Sequence, residues 1–251
     1  MRVQGEGPLV LFLHGIGGNS LNWLSQLDAF AGRYKAAAWD ARGYGESGGS
    51  VEAFEQFADD AAKVIEALGR PAHVVGLSMG GRIALDLVKR YPQSVRTLTL
   101  ANTSAGSRET ASPEKVEAFL ALRLKPLVED GLSPADIAER IVDGIAGPNI
   151  SPAAREALLD SHRRLHTQGY VAAMRAVTGF SDFPEFAEIK VPTLVLTATE
   201  DSVAPPAHAR LMAGQIAGAR LVEIEGAGHI SNLEAPEAFD RALGAFLAEH
   251  A

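Results

Sequence analysis

The stretch Gly76-Leu77-Ser78-Met79-Gly80 constrains this chain more than any other. It fits the pattern G-x-S-x-G, and its flanks give the pattern a frame. His73 to Leu77 reads as a short buried strand. Gly81 to Arg90 reads as a helix with Ile83, Ala84, Leu87 and Val88 on one face. A serine at so sharp a strand-to-helix turn must take a strained backbone conformation. Strand and helix then crowd together, so the positions two before and two after it tolerate little beyond hydrogen. Gly76 and Gly80 meet that demand. The turn lifts the serine Oγ clear of the backbone and sets the Met79 amide at a helix N-terminus, where negative charge is favoured.

Gly45-Glu46-Ser47-Gly48-Gly49 fits the same pattern. It lies in a glycine-rich loop with no strand running into it, and the next helical pattern starts only near Val51. Ser47 therefore reads as a loop residue near a helix cap, and Ser78 as the nucleophile.

The strand and helix around Ser78 belong to a longer alternation. Leu9–Leu13, Tyr34–Trp39, Val95–Ala101, Thr193–Thr199 and Arg220–Ile224 read as further strands. Helical patterns at Asn22–Ala31, Val51–Leu68, Pro206–Ile216 and Pro236–Glu249 fall between or after them. Continuous apolar runs such as Leu9–Leu13 suit strands covered on both faces, so the expectation is an α/β fold with a mostly parallel sheet. From Asn102 to Lys190 the rhythm changes. Helical patterns near Pro113–Glu129, Pro134–Ile145, Ala153–His166 and Gly169–Val177 replace the strands, and prolines fall at first-turn positions. Residues 103–190 read as a helical cap inserted between two parts of one core, 1–102 and 191–251.

A serine hydroxyl needs a base, and the base needs an orienting acid. In this order of elements the acid and then the base follow the serine, at the carboxyl ends of later strands. Asp201, with Glu200 as the alternative, follows Thr193–Thr199. His229 follows Arg220–Ile224 in Gly226-Ala227-Gly228-His229. Two backbone amides should face the charge that develops on a reacting carbonyl: Met79, and Ile16 in the loop after the first strand. His14 in that loop reads as a brace, His73 as capping the sheet edge, and His208 as facing solvent. His162 and His166 stand at i, i+4 spacing, which can hold a metal. No third ligand accompanies them, so no metal and no cofactor are expected, and the pair could instead touch substrate.

Composition narrows the function. The 251 residues carry a net charge of −8 and no basic block, which argues against nucleic acid. There is no cysteine, which excludes thiolate catalysis and disulfides. No segment matches a signal peptide or a membrane span, so the expectation is a cytoplasmic monomer or homodimer acting on a small molecule.

The chain resembles the α/β-hydrolase superfamily in His14-Gly15-Ile16-Gly17-Gly18, Asp40-Ala41-Arg42-Gly43-Tyr44-Gly45-Glu46-Ser47, the turn at Ser78, Asp201 and Gly228-His229. Leu100-Ala101-Asn102-Thr103, Gly169-Tyr170 and His229-Ile230-Ser231-Asn232-Leu233-Glu234 are similar to 3-oxoadipate enol-lactonases, although those often lack the counterpart of His14. The resemblance implies an eight-stranded, mostly parallel sheet and a catalytic triad of Ser78, Asp201 and His229. It implies hydrolysis of a small ester or lactone through an acyl-enzyme. Relatives usually carry a hairpin before the counterpart of Gly5, so the first edge strand is expected to be missing or frayed. Alternatives are a carbon–carbon bond hydrolase of ring-cleavage products and a triad-bearing ligand receptor. Arg42 is expected to tie its loop to neighbouring carbonyls. Trp23 is a candidate for the pocket mouth or for the core. Arg123 and Arg163, with Arg164 and Arg175, are candidates to meet a substrate carboxylate. Phe119, Leu122, Leu124, Phe180 and Phe183 are expected to line an apolar pocket.

Overall fold

A computed structural model of the chain describes residues 1–105 and 112–251. Its centre is a seven-stranded sheet in the order β1-β3-β2-β4-β5-β6-β7. The strands are β1 (Arg2–Gln4), β2 (Leu9–Leu13), β3 (Lys35–Ala38), β4 (Ala72–Leu77), β5 (Val95–Ala101), β6 (Thr193–Ala198) and β7 (Arg220–Ile224). All neighbouring pairs are parallel except β1 with β3.

Alternate residues of β2 explain its unbroken apolar run. Leu9, Leu11 and Leu13 join the core on one face of the sheet, and Val10 and Phe12 join the core on the other. The helices that cover those faces are α1 (Leu24–Phe30), α2 (Glu55–Leu68), α3 (Met79–Arg90), α8 (Pro206–Gln215) and α10 (Pro236–Glu249). On the first face α2 buries Phe57, Ala58, Ala61 and Ile65, a 3.6-residue stripe. On the second, Trp23 and Phe30 meet Phe12, and Phe239 meets Trp23.

Between β5 and β6 lie four helices: α4 (Pro113–Val128), α5 (Ala138–Ile145), α6 (Pro152–Arg163) and α7 (Thr167–Gly179). No strand occurs there among the described residues. Pro113 and Pro152 start α4 and α6, where a missing N–H costs nothing, whereas Pro126 lies inside the last turns of α4. The insertion has its own small cores, one of Leu120, Leu124, Leu127, Ile137 and Tyr170, against which Ile16 of the β2–α1 loop packs.

Three sequence expectations change. The sheet has seven strands among the described residues where the resemblance implied eight; Arg2–Gln4 forms a three-residue antiparallel edge on β3. His73 does not cap a sheet edge. It lies within the central strand β4, fully buried, with its Nδ1 2.9 Å from Thr97 Oγ1. His162 ends α6, whereas His166 lies beyond that helix and precedes α7, so the two do not share a helical face.

Candidate active site

The parallel strands all deliver their carboxyl ends to one edge of the sheet, which is where the β2, β4, β6 and β7 loops converge. Ser78 sits directly after β4 with φ +56° and ψ −117°, a conformation that a non-glycine residue adopts only under constraint. The constraint is steric. A Cβ on Gly76 would run into the Gly80 carbonyl, and one on Gly80 into the Leu13 carbonyl of β2. Both positions demand glycine because backbone lies where a side chain would go. Ser78 donates its amide to Ala101 on β5, and Thr103 donates its hydroxyl to the Ser78 carbonyl at 2.7 Å.

Ser78, His229 and Asp201 form one hydrogen-bonded chain. Ser78 Oγ lies 2.8 Å from His229 Nε2. His229 Nδ1 lies 3.0 and 2.9 Å from the two Asp201 oxygens. Asp201 can only accept, so Nδ1 carries the proton and Nε2 presents a lone pair to the serine hydroxyl. Burial alone would raise the Asp201 pKa. The hydrogen bond and charge of His229, with the donors Ala204 N–H and Asn102 Nδ2, outweigh it and hold the carboxyl below its ordinary value. Glu200, the alternative acid, is exposed.

Residues the motifs did not single out hold this chain in place. Asn102 is buried, takes φ +44°, donates to Asp201 Oδ2 at 2.9 Å and accepts from Ser231 Oγ at 2.5 Å. Glu234 Oε2 accepts from the amides of Gly228 and Gly147 at 3.0 and 2.8 Å, and its Oε1 from Ile230 at 3.1 Å. It thereby ties the loop bearing His229 to the segment after α5. Both residues lay inside stretches noted for their family likeness. The sequence signal available was the tolerance of asparagine for positive φ at a strand end.

The β2–α1 loop approaches Ser78 closely: a Cβ on Gly15 would stand 3.1 Å from Ser78 Cβ. Among the described residues neither the Ile16 nor the Met79 amide has a protein acceptor. His14 braces this loop. Its Nδ1 donates to the Gly15 carbonyl at 2.8 Å, and its Nε2 accepts from Ala41 N–H at 3.1 Å. Burial pushes its pKa down to about 4 against the opposing effects of Gly15 and Asp40.

Several candidates lie elsewhere. Arg163 is exposed and pairs with Glu156 on its own helix, and Arg164 pairs with Asp160. Arg123 is exposed, with its guanidinium 5.5 Å from the Phe119 ring centroid. Arg42 grips the Asp60 carboxylate of α2 with two nitrogens, at 2.7 and 2.9 Å, and one carbonyl, Ser50 O. Ser47 donates to the Asp40 carbonyl at 2.7 Å, a loop brace. Phe119 and Leu122 point outward, Leu124 is spent in the insertion's core, and Phe180 and Phe183 pack around Phe54. None of these five lines the cavity at the β2–α1 loop: α4, which bears the first three, carries apolar residues around its circumference and only part of it faces protein, and the other two are taken up by Phe54. That cavity is bounded instead by the β2–α1 loop, Trp23, Leu77, Ile145, Leu158, His162, Ile230 and Asn232. Trp23 serves both roles foreseen for it: it packs on Phe12 and it borders the cavity.

Known proteins share this arrangement of elements. The chain is similar to a putative carbamate hydrolase RutD of Agrobacterium fabrum, 28% identical over 253 residues, covering 98% of this chain and 95% of the relative. It is similar to 3-oxoadipate enol-lactonase 2 of Acinetobacter baylyi, 28% identical over 250 residues, covering 97% and 90%. The solved enol-lactonase of Burkholderia xenovorans LB400 superposes with a TM-score of 0.86 at 28% identity, covering 98% of this chain and 95% of that one. The alpha/beta hydrolase family matches residues 10–242, and the chain belongs to it.

Proposed function

We propose that this hydrolase is a serine hydrolase of small esters or lactones working through an acyl-enzyme. The observation that carries the reading is the unbroken chain from Ser78 Oγ through His229 to Asp201. Ser78 Oγ attacks the carbonyl carbon while its proton passes to His229 Nε2. Asp201 holds the imidazolium that results. The amides of Ile16 and Met79 form the oxyanion hole; one such donor is worth about 3 kcal/mol of barrier. His229 then returns the proton to the leaving oxygen, and water repeats the sequence in reverse on the acyl-serine. Residues 103–190 act as the cap, and 1–102 with 191–251 as the core.

A second reading keeps the machinery and changes the acyl carbon. The relative described as a putative carbamate hydrolase covers nearly the whole chain, and a carbamate offers the same trigonal carbonyl to the serine. Phenyl acetate, γ-butyrolactone and phenyl carbamate, assayed side by side, separate the two. For the mechanism, Ser78→Ala is expected to lower turnover of the best of these by at least about a thousandfold with the fold intact. Unchanged turnover in that variant overturns the reading.

A further inference from the structure

The end of β5 supplies no member of the Ser78–His229–Asp201 chain, yet it bonds to the segments of all three. The Ala101 carbonyl accepts the Ser78 amide at 3.0 Å, and Thr103 Oγ1 donates to the Ser78 carbonyl. Between these two residues Asn102 reaches the acid and the base. Its Nδ2 lies 2.9 Å from Asp201 Oδ2 and 3.4 Å from the carbonyl of Gly228, the residue before His229.

Both of those partners can only accept. The amide nitrogen carries two hydrogens, so one group serves the acid and the loop of the base together. The reverse orientation would set the amide oxygen against a carboxylate and a carbonyl. The direction is selected from the other end. Ser231 is fully buried on the short helix α9 (Ser231–Glu234), and its hydroxyl donates to Asn102 Oδ1 at 2.5 Å. The backbone is held as well: the Asn102 amide donates to the Leu196 carbonyl at 2.9 Å, and its φ of +44° is one that asparagine tolerates better than most side chains. The ionisable groups around this amide are Asp201, His229 and, across Gly228, Glu234, which accepts the Gly228 amide.

No other side chain of this size meets the same demands. Leucine has the shape and neither hydrogen. Aspartate can donate to Asp201 only while it keeps its proton; once ionised it places two carboxylates in contact.

We infer that Asn102 is a positioning residue that fixes the acid to the loop carrying the base, and that Ser231, whose hydroxyl reaches Asn102 rather than Asp201 or His229, acts on the reaction by setting which way that amide points. This rests on the serine-hydrolase reading above and adds two residues to its machinery.

The test measures kcat and KM for phenyl acetate in Asn102→Leu, Ser231→Ala, the double variant and Asn102→Asp, with a thermal melt of each. Asn102→Leu is expected to lower kcat at least about tenfold, the worth of one hydrogen bond to a charged group, with KM within about threefold. Ser231→Ala is expected to lower kcat at least about threefold alone and to add nothing beside Asn102→Leu, because its effect passes through the amide. Asn102→Asp gives a signature that packing cannot produce. Its kcat, as a fraction of wild type, should fall at least about tenfold from about pH 5.5 to about pH 8.5 as the proton between the two carboxylates is lost, a trend absent from Asn102→Leu.

A folded Asn102→Leu with wild-type kcat overturns the inference. So does a Ser231→Ala effect that persists in full beside Asn102→Leu, and so does an Asn102→Asp fraction that does not change with pH. Should Asn102→Leu fail to fold, the pH trend of Asn102→Asp decides alone. Turnover that survives Ser78→Ala removes the serine reading itself; turnover that needs Ser78 but keeps its wild-type kcat in Asn102→Leu removes this inference only.

Discussion

At the residue scale, the site depends on groups whose protonation is fixed by their surroundings. His14 is the clearest. Its ring bridges the Gly15 carbonyl and the Ala41 amide, so a second proton on Nε2 would face a donor. Its folded-state pKa of about 4 lies below the ordinary 6.5. The unfolded chain therefore binds more protons between these values. The stability involved is fully present above pH 6.5 and is lost as pH falls toward 4, to a total of about 3 kcal/mol. Replacing His14 by Gln is expected to cost stability at pH 7.5, by loss of the Ala41 contact, and to flatten the decline toward pH 4.5. Urea unfolding at the two pH values measures both effects. An acid decline as steep in His14→Gln as in the wild type contradicts the assignment. Ser78 was legible from sequence because its strain leaves a signature in the glycines around it. Asn102 was not, since a buried asparagine that holds Asp201 looks in sequence like any strand-end polar residue.

At the element scale, loops carry the geometry and the strands aim them. The β7–α10 loop is held by the Glu234 carboxylate of the short helix α9 (Ser231–Glu234), which accepts three amides, two from its own loop and one from beyond α5. Glu234→Gln turns one acceptor end into a donor that faces N–H groups. It is expected to cost about 1–2 kcal/mol, a fall in Tm of a few degrees, and to lower kcat more than it changes KM, because His229 loses its anchor. A thermal melt with steady-state kinetics checks this; a variant with wild-type Tm and kcat refutes the anchoring role. The starts of α4 and α6 were readable from Pro113 and Pro152, but the helix read from Pro134 begins only at Ala138. Which faces the helices bury was not readable: α4 has no single apolar stripe, so Phe119 and Leu122 looked like pocket residues and are solvent-exposed.

At the scale of the whole molecule, the sheet order sets everything else. Three positions far apart in sequence meet because β4, β6 and β7 are parallel and release their chains at the same edge. The surface is less demanding. Arg163 pairs with Glu156 in solvent, where such pairs are worth little. Arg163→Ala is expected to shift Tm by less than about 2 °C and to leave kcat/KM for small esters unchanged. A marked rise in KM for carboxylate-bearing substrates alone would return that residue to the site.

The alternation of strand and helix, the strained turn at Ser78 and the strand ends bearing Asp201 and His229 are local facts. Backbone sterics and hydrophobic periodicity write them into a few adjacent residues, so the sequence by itself determined the fold class and the hydrogen-bonded chain of the candidate site. The cavity wall was decided only by tertiary structure. It is assembled from side chains of five separate segments, and whether an arginine or a histidine reaches it depends on how helices rotate against the sheet, which no local pattern encodes.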